Sequence, residues 1–161
     1  MIVPLIITAA GMFFFYARIN LVYSFTGIIL AHVALATPFV VITVTATLVG
    51  FDMNMVKASQ SLGARPVRTF FKVIMPLILP GVISGALFAF ITSFDEVVIV
   101  MFMASLDQLT IPKQMWAGIR QEISPVILCM ATCLVVLSIL LLTTVELLRR
   151  RSEKLRGITS R

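Results

Sequence analysis

"KASQSLGARPVRTFFKVIMPLILPG" (Lys57 to Gly81) interrupts an otherwise apolar chain with four basic residues, two glycines and three prolines. Long greasy runs surround it. Gly27 to Gly50 comes before, Val73 to Phe94 overlaps its end, and Val126 to Leu148 follows. Each run has 22 to 24 residues. At 1.5 Å rise per residue that reaches roughly 33 to 36 Å, enough for a hydrocarbon core of about 30 Å. The quoted stretch therefore reads as a connection between two membrane-spanning helices, and the chain as an all-α membrane protein.

Composition agrees. The 161 residues are 60% hydrophobic and 12% charged, with a mean hydropathy of +1.08; a soluble domain carries about a quarter charged residues. A net charge of +6 would suit nucleic acid only if it covered one face. Here the basic residues stand in two blocks beside apolar runs, which is a membrane pattern, and nucleic acid is not expected as a partner. Lys57, Arg65, Arg68 and Lys72 form one block, and Arg149, Arg150, Arg151, Lys154, Arg156 and Arg161 the other. Only Arg18, Lys113 and Arg120 lie elsewhere. Positive-inside bias makes both blocks cytoplasmic, with both chain termini inside.

Met1 to Tyr16 is a shorter apolar segment. No Lys or Arg precedes it, so it lacks the positive region of a signal peptide. It reads as a span shortened at its N-terminal end, and the chain as the C-terminal portion of a longer subunit. The expected layout is about four transmembrane helices near 1–16, 27–50, 73–94 and 126–148. These belong to one membrane domain, 1–150, followed by a basic cytoplasmic tail, 151–161.

The quoted connection is too ordered for a plain linker. Asp52 or Asn54 suits a helix N-terminus, where a side-chain oxygen accepts free backbone N–H groups. Met53 to Leu62 contains no helix breaker. Gly63 stands where a left-handed residue ends a helix, and Pro66 suits the first turn of a second one. Val67, Phe70, Phe71 and Ile74 follow at helical spacing and predict one apolar stripe, with Arg68, Thr69 and Lys72 on the other faces. A short helix, a sharp elbow and an amphipathic helix leading into the next span are expected. Such an elbow either anchors the loop at the membrane surface or docks a cytoplasmic partner.

The motif itself resembles the cytoplasmic loop of permease subunits of binding-protein-dependent ABC importers. That family's signature is Glu-Ala-Ala, three residues, Gly, nine residues, Ile, one residue, Leu-Pro. Here Lys57-Ala58-Ser59, three residues, Gly63, nine residues, Val73, Ile74 and Met75-Pro76 keep the spacing. Ala58, Gly63 and Pro76 match, Lys57 replaces the acidic residue, and Ser59 replaces the second Ala. Phe88 to Met103 and Leu109 to Ile127 are similar to the corresponding stretches of spermidine and putrescine permeases. The resemblance implies an ATPase-coupling loop carried by Lys57, Ala58, Ser59, Gly63, Ala64, Pro66 and Pro76. It also implies a bacterial inner-membrane subunit working with a cytoplasmic ATP-binding subunit, a second permease subunit and an extracytoplasmic solute-binding protein, all in a lipid bilayer. No phosphate-binding G-x-x-x-x-G-K-[ST] occurs in this chain, so any ATP hydrolysis is expected on a separate chain, and no cofactor is expected on this one.

Further candidates lie near the outer side. Asp95 and Glu96 end the third span, where ionisable groups either reach headgroup water or serve function. With Phe94 and Trp116 they form a candidate substrate path, the carboxylates offsetting cationic charge and the rings contacting ammonium or alkyl groups. The outer loops hold four acids, Asp95, Glu96, Asp107 and Glu122, against three bases, a weak cation bias. His32 in the second span reads as a hydrogen-bonded packing residue or, with Pro38, as a pathway mark. Gly81 and Gly85 permit close helix approach. Cys129 and Cys133 read as packing thiols, and neither metal-ligand spacing nor a catalytic constellation is apparent. The expected function is transport of a small cationic solute, a polyamine, by a non-enzymatic subunit. A secondary transporter or channel, an importer subunit for thiamine, iron or sulfate, and a chain that transports nothing are the alternatives.

Overall fold

A computed structural model describes residues 3–121 and 125–155. Glu122, the first two residues of the chain and the end of the basic tail, Arg156 to Arg161, lie outside them. Every regular element among the described residues is helical. In chain order these are α1 (Leu5–Arg18), α2 (Phe25–Val49), α3 (Asn54–Ser61), α4 (Pro66–Thr69), a π-helical turn (Phe70–Ile74), α5 (Met75–Phe94), α6 (Val98–Met103), α7 (Ile111–Gln121) and α8 (Pro125–Leu155).

Three helical stretches are long and apolar enough to cross a membrane: Phe25–Val49, Pro66–Phe94 and Pro125–Thr144. The fourth apolar helix, α1, has 14 residues, a length of roughly 21 Å, below the thickness of a hydrocarbon core. Boundaries differ from those read in the sequence for local reasons. Ser24 starts α2 ahead of Gly27: its Oγ accepts the Gly27 N–H at 3.0 Å and donates to the Leu21 carbonyl at 2.6 Å, satisfying a free helix-end donor. The second of these stretches starts at Pro66 rather than Val73, because the amphipathic segment and the span are one helix joined through the π-helical turn. Two short helices, α6 and α7, stand where only outer loop was expected.

The chain divides into two compact units, Met1–Leu35 with Ile91–Arg161, and Ala36–Phe90. In the first, α1, the start of α2 and α6 share a core of Ala9, Tyr16, Ala31, Leu35, Ile99 and Met103. Ile99 and Met103 are fully buried, and Phe13 meets Phe102 edge-on at 6.4 Å. Six apolar residues thus make α6 a plug rather than a loop. Nearby, the connections are stitched together: Gln108 Nε2 donates to the Tyr23 carbonyl at 3.3 Å, and the Tyr23 N–H donates to the Met103 carbonyl at 2.9 Å.

In the second unit a seam of small residues joins α2 to α5. A side chain at Gly81 would run into Thr47 and the Thr43 carbonyl, and one at Gly85 into Thr43 and Val40. Thr43 and Thr47 turn their hydroxyls back onto their own helix, onto the Phe39 and Thr43 carbonyls at 3.0 and 2.9 Å. The seam therefore sets threonine hydroxyls, already bonded to their own helix, against bare glycine backbone, a small-residue contact that permits close helix approach in lipid.

Candidate functional site

The elbow is built by its turn. Asp52 Oδ1 accepts the Asn54 N–H at 2.9 Å and fixes where α3 begins. At the other end Leu62 caps the helix, the Gly63 N–H donates to the Gln60 carbonyl at 2.9 Å, and the Ala64 N–H donates to the Ser59 carbonyl at 3.1 Å. This pair of bonds is a Schellman closure, which requires a left-handed residue after the cap. Gly63 supplies it with φ +77°. Arg65 is extended and Pro66 takes the first helical position, where its missing N–H costs nothing.

Val67, Phe70 and Phe71 of the apolar stripe are exposed, whereas Thr69, from the other faces, is 2% exposed. Its Oγ1 lies 2.9 Å from Ser59 Oγ. A hydroxyl pair, not the aromatic stripe, closes α3 against the helix that follows, and Phe70 and Phe71 stack edge-on at 5.1 Å facing outward. Between α3 and that helix lies a concave surface of about 550 Å³ lined by Met55, Ala58, Ser59, Leu62, Ala64, Arg68, Lys72 and Val73. Of the loop residues singled out in the sequence, Ala58, Ser59 and Ala64 line it. Lys57 and Pro66 are exposed beside it, Gly63 forms the turn, and Pro76 sits partly buried in the first turn of α5.

The outer candidates separate. Phe94, Asp95 and Trp116 line one groove of about 430 Å³ among α5, α7 and α8, with Met115, Ile119 and Leu134 among its apolar walls. Asp95 is exposed there. Arg120 lies over the Trp116 ring, 5.6 Å from its centre. Glu96 does not share the groove. It is 6% exposed, and its Oε1 accepts the Ile99 N–H at 2.7 Å, capping α6. The two neighbouring carboxylates therefore have different tasks, one facing a groove and one spent on backbone.

His32 is the residue whose role the sequence left open. Its Nδ1 lies 2.8 Å from Ser93 Oγ, which joins α2 to the end of α5. Among the described residues its Nε2 is the one buried side-chain nitrogen or oxygen without a hydrogen-bond partner. Cys129 and Cys133 are exposed on α8, and no three His, Cys, Asp or Glu side chains converge on a metal-sized site among the described residues.

Comparison with known proteins completes the site. The family described as binding-protein-dependent transport system inner membrane component matches residues 1–154. The chain is 32% identical over 153 residues to the spermidine/putrescine transport system permease protein PotC of Haemophilus influenzae, covering 95% of this chain and 60% of that protein. It is 30% identical over 154 residues to PotC of Escherichia coli K12, covering 96% and 58%. With the putrescine transport system permease protein PotI of the same strain it shares 35% identity over 103 residues, 64% and 37% of the two chains. This chain thus spans about three-fifths of the length of the PotC relatives.

Proposed function

From the premise that this chain belongs to the family of binding-protein-dependent transport system inner membrane components, we propose that it is a membrane-spanning subunit of an ATP-driven importer whose solute is a polyamine. Membership makes it a transport permease subunit rather than an enzyme. The observation that carries the ATP-driven part is the elbow. A helix closed by Gly63 and restarted by Pro66, with its two arms tied through Ser59 and Thr69, is stiff enough to pass on a partner's movement. A floppy loop would absorb that movement.

In this reading a cytoplasmic ATP-binding subunit seats on the concave face of the elbow, touching Ala58, Ser59 and Ala64, with Lys57 and Pro66 at its rim. Lys57 carries positive charge where the family motif has an acidic residue, so the subunit's contacting surface there is acidic or neutral. ATP hydrolysis belongs to that subunit. Residues 1–150 form the permease domain and the basic tail, 151–161, faces the cytoplasm with both termini. A second permease subunit completes the path through the bilayer, and an extracytoplasmic binding protein delivers the solute.

The polyamine assignment is supported by the likeness to spermidine/putrescine and putrescine permeases and by the groove chemistry. Asp95 offers one carboxylate to an ammonium group, Trp116 and Phe94 offer aromatic faces, and apolar walls suit a methylene chain. Uptake of radiolabelled spermidine and putrescine in cells lacking other polyamine importers tests it. The chain is expressed with its ATP-binding, partner-permease and binding-protein subunits. ATP-dependent polyamine accumulation that requires this chain is the expected result. Accumulation of thiamine, iron or sulfate instead would overturn the substrate assignment, and uptake driven by an ion gradient without ATP would overturn the importer class.

A further inference from the structure

We infer that His32 is a positioning residue: by holding Ser93 it sets the rotation of the α5 terminus and so turns Asp95 into the groove. The inference rests on the groove being a solute site for its functional meaning, but its geometry stands on its own.

The argument is one of helical phase. Successive residues of a helix are turned about 100° apart. The helix bonding of α5 runs on to Asp95, whose N–H donates to the Ile91 carbonyl at 3.1 Å. If Ser93 points at His32, Asp95 is turned about 200° from it, to the opposite side. Glu96 lies past the end of the helix, in the connection to α6, where the Ile99 N–H holds its carboxylate. The side chains follow this pattern. Asp95 lines the groove with Trp116, whereas Glu96 is buried and caps α6 through Ile99.

A rotation of the terminus by roughly one residue would turn Asp95 away from the groove. The small-residue seam holds α5 at Gly81 and Gly85, about two turns before this terminus. At the terminus itself a directional bond, His32–Ser93, ties the helix to α2. Burying an imidazole with Nε2 unpartnered costs free energy, so the ring is tolerated at this position for the bond its other nitrogen makes.

The test reads side-chain exposure rather than transport. In the full chain, with Cys129→Ala and Cys133→Ala, Asp95→Cys is reconstituted in lipid nanodiscs and its reaction rate with a charged maleimide is measured. His32→Phe keeps the ring volume without the bond, and Ser93→Ala removes one oxygen. Each is expected to slow the reaction roughly tenfold, the effect of losing one hydrogen bond on a local equilibrium. His32→Asn, whose amide can occupy the Nδ1 position, is expected to restore the rate; a pure packing role predicts the opposite order, Phe tolerated and Asn not. If His32→Phe does not fold, Ser93→Ala with the His32→Asn comparison decides alone. Rates within twofold of the parent in the folded variants, or a loss that His32→Asn does not rescue, overturn the inference. Because no solute is added, failure of the polyamine assignment would leave this result untouched, and the reverse also holds.

Discussion

Ser59 and Thr69 meet hydroxyl to hydroxyl at 2.9 Å across ten residues of chain, and Thr69 is almost wholly buried in doing so. The contact turns two short helical pieces into one bracket. Without it, α3 would be fastened to the next helix mainly through the backbone of the turn.

A double-mutant cycle measures the bracket. Thr69→Val keeps the shape and removes the hydroxyl, leaving Ser59 without that partner; it is expected to destabilise by about 1 kcal/mol. Ser59→Ala should cost a similar amount, and the double variant little more than either single one. Thermal unfolding of the purified chain gives the three values. Strictly additive losses would mean that the hydroxyls do not interact.

Gly63 is expected to tolerate Asn and to reject Val. An added Cβ meets nothing within 4 Å there, so the penalty is conformational rather than steric crowding. Left-handed backbone costs an ordinary residue about 1–2 kcal/mol, and Asn accepts it more readily than a β-branched residue. Gly63→Val should remain in the membrane yet lose co-purification of the ATP-binding subunit, while Gly63→Asn keeps it. Equal retention in both would remove the elbow from coupling.

The α2–α5 seam makes a prediction of the opposite kind. At Gly81 an added methyl collides with Thr47 and with the Thr43 carbonyl, whereas at Gly11 it meets nothing within 4 Å. Gly81→Ala is expected to cost about 1–3 kcal/mol, as overpacking does. Gly11→Ala should be neutral or gain up to about 1 kcal/mol from helix propensity. Denaturation of the two variants in the same detergent compares them directly, and a Gly81→Ala as stable as Gly11→Ala would contradict the close approach.

Orientation can be read with two cysteines in a background carrying Cys129→Ala and Cys133→Ala. Leu106 is 92% exposed on the connection that the charge bias makes external, and Ser61 is exposed at the end of α3. In intact cells an impermeant thiol reagent should label Leu106→Cys and spare Ser61→Cys until the membrane is opened. The reverse labelling would invert the topology.

Asp95→Asn should raise the KM for spermidine roughly tenfold in the assembled importer with kcat changed less, since a charge-assisted contact is lost from binding. Trp116→Ala should act in the same direction and more weakly, in line with the size of a cation–π contact. Glu96→Gln is expected to act through stability instead, because its carboxylate caps α6. Unchanged uptake in Asp95→Asn at equal expression would leave the groove without a role in the path.

Helical spans, the elbow and its turn were legible in the sequence because each is a local property. Length and apolarity set what can cross a bilayer. A Gly and a Pro three residues apart dictate backbone angles that few other residues accept, so Gly63 and Pro66 could be placed before any fold was known. The small-residue spacing of Gly81 and Gly85 announced a close approach, though not that Thr43 and Thr47 would meet it. What lay beyond the sequence was direction. Apolar residues around a lipid-facing helix carry no phase, so whether Phe70 and Phe71 or Thr69 turned inward depended on a partner ten residues away in chain. The same holds for Asp95 and Glu96, both carboxylates and adjacent in sequence: one faces the groove with Trp116, the other is taken up by the Ile99 N–H. Hydrophobic burial fixes which segments leave water, but only directional contacts between distant residues fix which side of a uniformly apolar helix faces which neighbour.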